Sequence, residues 1–514
     1  MSDDNEKAIL ERFEGADPDF QSEGRDFNQL DKSMCFYPQS DLGNSQRLRK
    51  RFGDDLIYVK GSGWHGWSVT HWSAENGEAL SYIRAHSVAK TITKRETAAL
   101  FDNGKMINSI GLIEGAKDFK KRIDRLASWG IKSGDINRTR GMLDQAKPYL
   151  SKEVKDLNSD PYLMAVNNGT LVLDRKRGRV TIKKSVRGDL ITQVSPAQYR
   201  PKDDCPIFSK FLQDIIPDPE VRRFLQKWFG YCLTGDISEQ CLVFFFGGGA
   251  NGKSTLVETI GYILGSYDII LGFESLQVNP NKTGAQASPD IADMPGKRFV
   301  RASEPDNNVE FSTGLVKGLT GGEKLKARQL HKAFFHFMPS HKIILSGNSK
   351  PRVRGNDHGI WRRFHLVPFL VQIDDKDKDL LLPMKLKNEA SGILNWMVEG
   401  FSMWVKEGLD PPSAVVDATL EYRKENDPIG KFLDDCTAPS PGSRVSAYDL
   451  YARYKKWAAL DVQKVWLERA FGLGITEHGI KKTKVSTNYY LDIKIIEEDP
   501  DEVPHVGEGE DPNL

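Results

Sequence analysis

The stretch FFFGGGANGKSTLVETIGYI, residues 244–263, places an apolar run before a glycine-rich loop, and a lysine, two hydroxyl residues and a second apolar pattern follow. Residues 247–254 within it match the pattern G-x-x-x-x-G-K-[ST]. Glycines let the backbone N–H groups of a loop turn inward around an anion, and the N-terminus of the following helix adds partial positive charge. The order therefore predicts a buried strand, a phosphate-binding loop and a helix.

The polar residues of this loop have expected roles. Lys253 is expected to reach the β- and γ-phosphates of ATP, and Ser254 to offer its hydroxyl to Mg²⁺. A glycine-rich turn before a helix, without a nucleotide, is the alternative interpretation. The residues expected to contact the cofactor are Gly247, Gly248, Gly249, Ala250, Asn251, Gly252, Lys253, Ser254 and Thr255.

The composition is that of a globular protein without a membrane partner. The chain has 514 residues, 39% hydrophobic and 28% charged, a length typical of about three domains. It contains no run of about 18 apolar residues, and its acidic N-terminus lacks the apolar segment of a signal peptide. The five cysteines are far apart and form no C-x-x-C pair, so we expect no disulfide framework, no zinc site and a cytoplasmic location.

Charge is unevenly distributed along the chain. The net charge is +1, but residues 497–514 carry eight acids and no Lys or Arg, which leaves +9 for the rest. A basic body can bind nucleic acid, and an acidic tail with Pro and Gly is typical of disorder. A tail that only improves solubility is the alternative.

Composition and hydrophobic periodicity divide the chain into segments of different character. The central one contains apolar runs at 241–246, 297–303 and 341–347 between helical patterns, which predicts an α/β fold with a parallel sheet buried on both faces. The expected segments are a polar disordered segment (1–45), an α+β domain (46–199), a helical collar (200–240), the α/β core (241–380), a helical segment (381–427), a winged-helix-like domain (428–495) and an acidic disordered tail (496–514).

Polar residues follow two strands of the predicted sheet, at the edge where open α/β sheets bind ligands. Glu304 comes just after the strand at 297–303 and could hold Mg²⁺ through water or activate the attacking water. Asp306 lies in a predicted turn and is the weaker candidate. Asn348 ends the strand at 341–347 and could orient that water, although a helix cap for Glu304 and a loop role for Asn348 remain alternatives.

Two arginines precede the apolar run FHLVPF. A guanidinium from Arg362 or Arg363 could stabilise phosphate charge across a subunit boundary, as an arginine finger does. A pair of surface salt bridges is the alternative for these residues.

Four segments in this order carry a specific resemblance: GGGANGKST, GKRFVRASE, LTGGEKLKARQLHKAFFHFMPSHKIILSGNSKPRV and GIWRRFHLVPF. Together they resemble the superfamily 3 helicases, in particular the phage and plasmid primase–helicase group with its poxvirus relatives. The similarity extends over about residues 45–495 and is strongest over 200–370.

The resemblance implies an AAA+-like P-loop ATPase core that assembles into a ring, commonly a hexamer, with ATP between subunits. Lys253 and Ser254 then take the Walker A role, and Glu304 takes the Walker B role and binds the metal. Asn348 matches the sensor asparagine, and Arg363 best matches the arginine finger, with Arg362 as the neighbour that stays open.

The segment 325–342 reads as two strands around HKAF, and the corresponding hairpin of the family grips one DNA strand in the ring channel. This makes His331 and Lys332 the expected tip contacts. Further residues expected on this hairpin are the cations Lys324, Lys326 and Arg328, and Phe334 and Phe335, which could stack on bases or pack within the sheet.

A second basic hairpin lies near the C-terminus. Lys481, Lys482 and Lys484 could lie along a DNA backbone as the wing of a winged helix. A solvated charged hairpin is the alternative for the three lysines.

These features predict an ATP-dependent DNA helicase of a phage or related mobile element that translocates on single-stranded or forked DNA. An ATP-switched origin-binding or loading protein with little unwinding is the first alternative, and a P-loop motor that packages DNA or remodels proteins is the second. Only about 45 residues precede the similar region, so we expect primase activity to come from a separate primase or polymerase partner.

Overall fold

The N-terminal part of the chain combines helices with a small sheet. The computed structural model describes residues 27–109, 116–278, 289–303, 310–328, 334–353, 358–460, 465–484 and 487–496. No helix in these ranges is long and apolar enough to cross a membrane. The first elements are α1 (Phe27–Met34), α2 (Asp41–Phe52), β1 (Leu56–Val59), β2 (Gly63–Ser68), β3 (His71–Ser73), α3 (Gly77–Thr91), α4 (Thr97–Ser109), α5 (Ala116–Ser133), α6 (Ile136–Leu150) and β4 (Ser151–Lys152).

The expectation of a disordered segment through residue 45 is wrong for its described part. Residues 27–34 and 41–45 are helical, and Met34, Cys35 and Asn44 are buried. The stretch is mostly polar, but Asp31 is buried and paired with Arg51 and Arg95, which a polar sequence pattern does not reveal.

A buried ion network ties α1 and α2 to the π-helical turn at Ile92–Glu96. Arg47 Nε lies 2.9 Å from Glu96 Oε2, and Arg51 Nη2 lies 2.9 Å from Glu96 Oε1 and 2.7 Å from Asp31 Oδ1. The side chains of all four residues are at most 4% exposed. Because charges at this depth are stable only when paired, each of them depends on the others.

We expect Glu96→Gln to lower the free energy of unfolding of the N-terminal part by about 3–5 kcal/mol, because it leaves Arg47 and Arg51 buried with one anion removed. Hydrogen exchange of the α2 amides measures the change. The control is Asp118→Asn, which removes an exposed ion pair to Lys121 at 3.2 Å and should cost about 0.5 kcal/mol or less. Equal effects of the two substitutions would contradict the structural role of the network.

A three-stranded antiparallel sheet follows: β5 (Leu163–Val166), β6 (Gly169–Asp174) and β7 (Arg179–Lys183). The turn at residues 175–178 joins β6 to β7, and β5 pairs with the other side of β6. The buried side chains of β5 and β6 belong to the same hydrophobic cluster as the collar and the central sheet. The N-terminal domain was predicted to extend to residue 199, but this sheet packs with the core instead.

The collar is helical and the core alternates strands with helices, as the sequence predicts. They comprise α7 (Pro206–Ile215), α8 (Pro219–Cys232), β8 (Leu242–Phe246), α9 (Lys253–Leu264), β9 (Asp268–Ile270), α10 (Pro289–Ala292), β10 (Phe299–Ser303), α11 (Thr313–Thr320), β11 (Leu325–Ala327), β12 (Phe335–Phe337), β13 (Lys342–Gly347), α12 (His358–Trp361) and β14 (Phe364–Pro368). Asp218 caps α8 by accepting from the N–H groups of Glu220 and Val221, and Pro219 occupies its first turn.

The central sheet is parallel, with the order β14–β8–β13–β10–β9. The strands are short apolar runs because both faces are covered, as the sequence predicts. Side chains on one face join the collar helices in one cluster, and those on the other face form a second cluster with β11 and β12.

The helical segment after the sheet packs back on the collar. It comprises α13 (Leu382–Asn388), α14 (Ala390–Glu407) and α15 (Ser413–Glu425). A Cβ at Gly230 in α8 would collide with the backbone of Gly400 and Phe401 in α14, and one at Gly400 would collide with the Gln226 carbonyl. The two helices therefore touch backbone to backbone, and the collar and the helical segment form one layer.

The C-terminal unit has its own hydrophobic cluster, centred on Phe432, Tyr454 and Phe471. Its elements are α16 (Pro428–Cys436), β15 (Thr437–Ser446), α17 (Ala447–Leu460), α18 (Glu468–Glu477), β16 (Lys482–Lys484) and β17 (Asn488–Ile495). The sheet is antiparallel with the order β15–β17–β16. The two helices and the hairpin are those expected from the sequence, and the structure adds α16 and β15 before them.

Candidate nucleotide-binding site

The glycine-rich loop lies at the carboxyl edge of the central sheet. In the parallel register, Phe246 of β8 is opposite Gly347 of β13, and Ser346 of β13 is opposite Ser303 of β10. The loop after β8 and the residue after β13 therefore emerge side by side. Glu304, the residue after β10, and Asp306 lie outside the described residues.

Lys253 begins α9 and folds back over the loop. Its Nζ donates to the carbonyl oxygens of Gly247 at 2.7 Å and Gly248 at 3.0 Å, and to Asn348 Oδ1 at 3.1 Å. The side chain is buried. The structure thus brings together two residues predicted from separate motifs, the loop lysine and the asparagine at the end of β13.

The loop adopts a conformation in which two residues are left-handed. Ala250 has φ 55° and Gly252 has φ 79°. A side chain at Gly252 would also collide with Ile215 and Phe211 of the collar helix α7. Asn251 braces the turn from inside, since its Nδ2 donates to the Gly248 carbonyl at 2.5 Å. Only glycine fits at 252, both for its backbone angle and for its contact with the collar.

The chemistry of the loop fits a nucleoside triphosphate with Mg²⁺. Gly248, Gly249 and Ala250 are exposed, and a Cβ at either glycine would meet no atom within 4 Å, so the outer side of the loop is open. The N-terminus of α9 and the Lys253 ammonium supply positive charge there. Ser254 is exposed in the first turn of α9, where its hydroxyl can ligate a metal.

The described residues contain no group of three His, Cys, Asp or Glu side chains that could hold a metal. Glu304 follows a neighbouring strand and remains the expected carboxylate.

The segment after β14 straps the loop from one side, which sequence reasoning missed. The N–H of Phe369 donates to the Phe246 carbonyl at 2.7 Å, and the N–H of Ile373 donates to the Ala250 carbonyl at 2.7 Å. Both are backbone contacts, so no side-chain pattern could have indicated them.

The two arginine candidates differ in environment. Arg363 is 8% exposed; its Nε donates to Thr320 Oγ1 at 3.1 Å and its Nη1 to the Gly359 carbonyl. Arg362 is exposed. Arg363, which matches the arginine finger better by resemblance, is bonded within its own chain. Arg362 is the exposed one of the two, so its side chain can reach another molecule.

The predicted hairpin is present as the antiparallel pair β11–β12, and its predicted tip residues His331 and Lys332 lie outside the described residues. Phe335 packs against the buried cluster beneath, whereas Phe334 is 36% exposed. In the C-terminal unit, Lys481, Lys482 and Lys484 are all exposed at β16.

We expect Gly247→Ala to lower the thermal stability of the nucleotide-free protein, by about 1–3 kcal/mol, because the new methyl group would collide with the Phe369 carbonyl and crowd Asn251 Nδ2. Gly249→Ala is the matched control, since no atom lies within 4 Å of its Cβ position. Thermal unfolding compares the two variants, and a Gly247→Ala protein as stable as Gly249→Ala would rule out the strap contact.

Proteins similar to this chain include viral proteins named as helicases and primases. Residues 45–217 match the family model described as D5 N terminal like. The protein named "Putative helicase L207/L206" of Acanthamoeba polyphaga mimivirus is 30% identical over 327 residues, which cover 59% of this chain and 34% of the relative. "Putative helicase 022R" of Frog virus 3 is 24% identical over 267 residues, covering 48% and 27%.

A third relative is named for a primase. "Putative primase C962R" of African swine fever virus is 21% identical over 366 residues, which cover 66% of this chain and 37% of the relative. The chain thus spans about a third of the length of these curated relatives. The apo structure of the NrS-1 C-terminal region aligns over 64% of this chain and 95% of its own with 12% identity and a TM-score of 0.35, too low to support an argument about the fold. The family match and the viral relatives confirm the resemblance of this chain to the primase–helicase group.

Proposed function

We propose that this chain is an ATP-dependent DNA helicase of a virus or mobile element, of superfamily 3, which works as a ring on single-stranded DNA during replication. The observation that carries the proposal is the 3.1 Å contact between Lys253 Nζ and Asn348 Oδ1 at the carboxyl edge of the sheet. A phosphate-binding lysine beside an amide from the next strand is the arrangement needed to bind a γ-phosphate and to report its presence.

The residues of the site then have separate tasks. The Lys253 ammonium is bonded to two loop carbonyls, and phosphate oxygens would replace these carbonyls as its partners. The loop N–H groups and the N-terminus of α9 hold the phosphates. Asn348 orients the attacking water, and Glu304 accepts its proton or holds the metal. Ser254 would hold Mg²⁺ from the loop, and the ion would supply positive charge to the phosphates.

The positions of the arginines support a ring. β14 runs parallel to β8 with Phe364 opposite Leu242 and Pro368 opposite Phe246, so Arg362 and Arg363 lie at the amino edge of the sheet. Five residues of strand, about 16 Å, separate them from the loop at the carboxyl edge. That exceeds the length of an arginine side chain. Arg362 or Arg363 could therefore complete the site only of another copy, which suits a hexamer with ATP between subunits.

The C-terminal unit fits a winged-helix-like DNA-binding domain. Its elements follow the order α16, β15, α17, α18, β16 and β17, so that a hairpin comes after a helical pair. The exposed lysines of β16 make this hairpin a basic wing that can follow a phosphate backbone. We propose that this wing contacts forked DNA and that a separate primase or polymerase is the replication partner.

Lys253→Ala should abolish ATP turnover, because the side chain that neutralises the β- and γ-phosphates is lost, and strand separation should stop with it. Phosphate release and displacement of a labelled strand from forked DNA are the measurements. Lys378→Ala, which changes an exposed lysine far along the chain, is the control. Turnover that persists in the Lys253 variant would sink the proposed site, and a wild-type chain that hydrolyses ATP without separating strands would leave only a nucleotide switch.

The arginine assignment is decided by mixing subunits. Arg362→Ala and Arg363→Ala chains should each be combined with Glu304→Gln chains, which have lost the carboxylate but keep both arginines. Because Arg362 is exposed and Arg363 is bonded to Thr320, we expect the mixture with Arg362→Ala to recover part of its ATPase activity, while Arg363→Ala also lowers thermal stability. Mixtures that stay inactive for both variants would remove the support for a finger in trans.

A further inference from the structure

The segment that follows Asn348 is held by the end of a helix far along the chain. Residues 350–353 lie just beyond the asparagine, after β13 has ended. The end of α15 reaches this segment through three side chains, those of Tyr422, Glu425 and Asn426. Two of the three contacts are made to backbone atoms, so they fix the path of the chain itself.

The two backbone contacts are hydrogen bonds from polar side chains of α15 and its C-cap. The Tyr422 hydroxyl donates to the Pro351 carbonyl, and Asn426 Oδ1 accepts from the Val353 N–H at 2.9 Å. Asn426 Nδ2 also donates to the Tyr422 carbonyl at 2.9 Å, which holds its amide from both ends. Tyr422 and Val353 are at most 2% exposed. Because buried polar groups are costly to leave without a partner, the segment is held firmly in place.

Lys350 connects α15 with the strand that precedes the glycine-rich loop. Its Nζ lies 2.7 Å from Glu425 Oε1 and 4.8 Å from the centroid of the Phe246 ring. Phe246 is the last residue before the loop, and a cation over an aromatic ring is an attractive contact. The segment after the asparagine and the strand before the loop are thus joined through one side chain.

The chain that follows β10 also bonds to this segment. Phe311 donates its N–H to the Arg352 carbonyl at 2.9 Å, and Glu310 pairs with Arg352 as an isolated parallel bridge. Glu304, the expected carboxylate, lies between β10 and Glu310 in the sequence. Residues 350–353 are therefore a junction between the asparagine, the chain that carries the carboxylate, and α15.

We propose that Tyr422 and Asn426 are positioning residues for the γ-phosphate site, a role that rests on the proposed function. They hold residues 350–353 and through them keep the Asn348 amide at its place, 3.1 Å from Lys253 Nζ. A misplacement of about 1 Å at a reacting centre can lower the rate about a hundredfold. α15 thereby contributes to hydrolysis from outside the loop.

A double-mutant cycle on the full chain tests whether the two residues act through Asn348. Tyr422→Phe removes only the hydroxyl, and Asn426→Ala removes the acceptor for the Val353 N–H. Each should lower kcat for ATP about tenfold and leave the affinity for ADP within about twofold, because ADP has no γ-phosphate for the amide to meet. In an Asn348→Ala background neither substitution should lower kcat further, since changes that act through one group are not additive.

A second measurement needs no turnover. It is the ratio of the affinities for a fluorescent non-hydrolysable triphosphate analogue and for fluorescent ADP, both with Mg²⁺. Asn426→Ala should lower this ratio about threefold or more, as expected for residues coupled in one network. Asn426→Asp keeps an oxygen that accepts from the Val353 N–H, so its ratio should stay within about twofold of the wild type.

Thr419→Val is the matched control in the same helix. Thr419 Oγ1 accepts from the Leu366 N–H at 2.9 Å, so this change also removes a side-chain acceptor from a backbone N–H, but that N–H belongs to β14. The Thr419 variant should keep the wild-type kcat and the wild-type affinity ratio. Thermal unfolding of every variant sets a temperature at which all of them are folded, and the comparison is made there.

The outcomes separate this role from the proposed function. Equal losses of kcat from Asn426→Ala in the wild-type and Asn348→Ala backgrounds would overturn the positioning role, and so would a Thr419 variant as impaired as the Asn426 variant. A wild-type chain that binds the triphosphate without hydrolysing it would sink the helicase, while the affinity ratios would still decide the role of α15.

Discussion

Parallel pairing of β8 with β13 on one side and β14 on the other is the constraint on which the site depends. Backbone hydrogen bonds fix the register, so Gly247 and Asn348 must emerge at the same edge. Lys253 and Asn348 are 95 residues apart in the sequence, yet their side chains meet at 3.1 Å. The same pairing directs the residues before β14 to the opposite edge.

Hydrogen bonds from buried side chains fix the amino edge of the central sheet. Lys342 at the start of β13 donates to the carbonyls of Thr234 and Asp236, and Arg298 before β10 donates to those of Leu233 and Leu163. Burial lowers the pKa of Lys342 to about 7, and its Nζ lies 4.5 Å from the centroid of the Tyr231 ring. The collar and β5 thereby hold the chain at the starts of β10 and β13.

Sequence patterns predicted β8, β10 and β13 of the core within two residues, because a strand buried on both faces leaves an unbroken apolar run. They failed at residues 27–45, where the buried Asp31 pairs with Arg51 and with Arg95, 64 residues along the chain. The loop lysine and the asparagine could be named because each follows a strand. The burial of Arg363 depends on Thr320, 43 residues away, and no local pattern reports such a partner.

The separation of the loop and the arginines onto opposite edges of one sheet restricts how copies can assemble. A two-fold dimer presents the same patch on both copies, so it can pair a loop with an arginine only if both lie in that one patch. If they lie in two different patches, so that an arginine of one copy completes the loop site of the next, the interface is heterologous. Such interfaces repeat around a rotation axis and close into a ring, or continue as a filament. A closed ring of this kind would pair every loop with an arginine of the neighbouring copy.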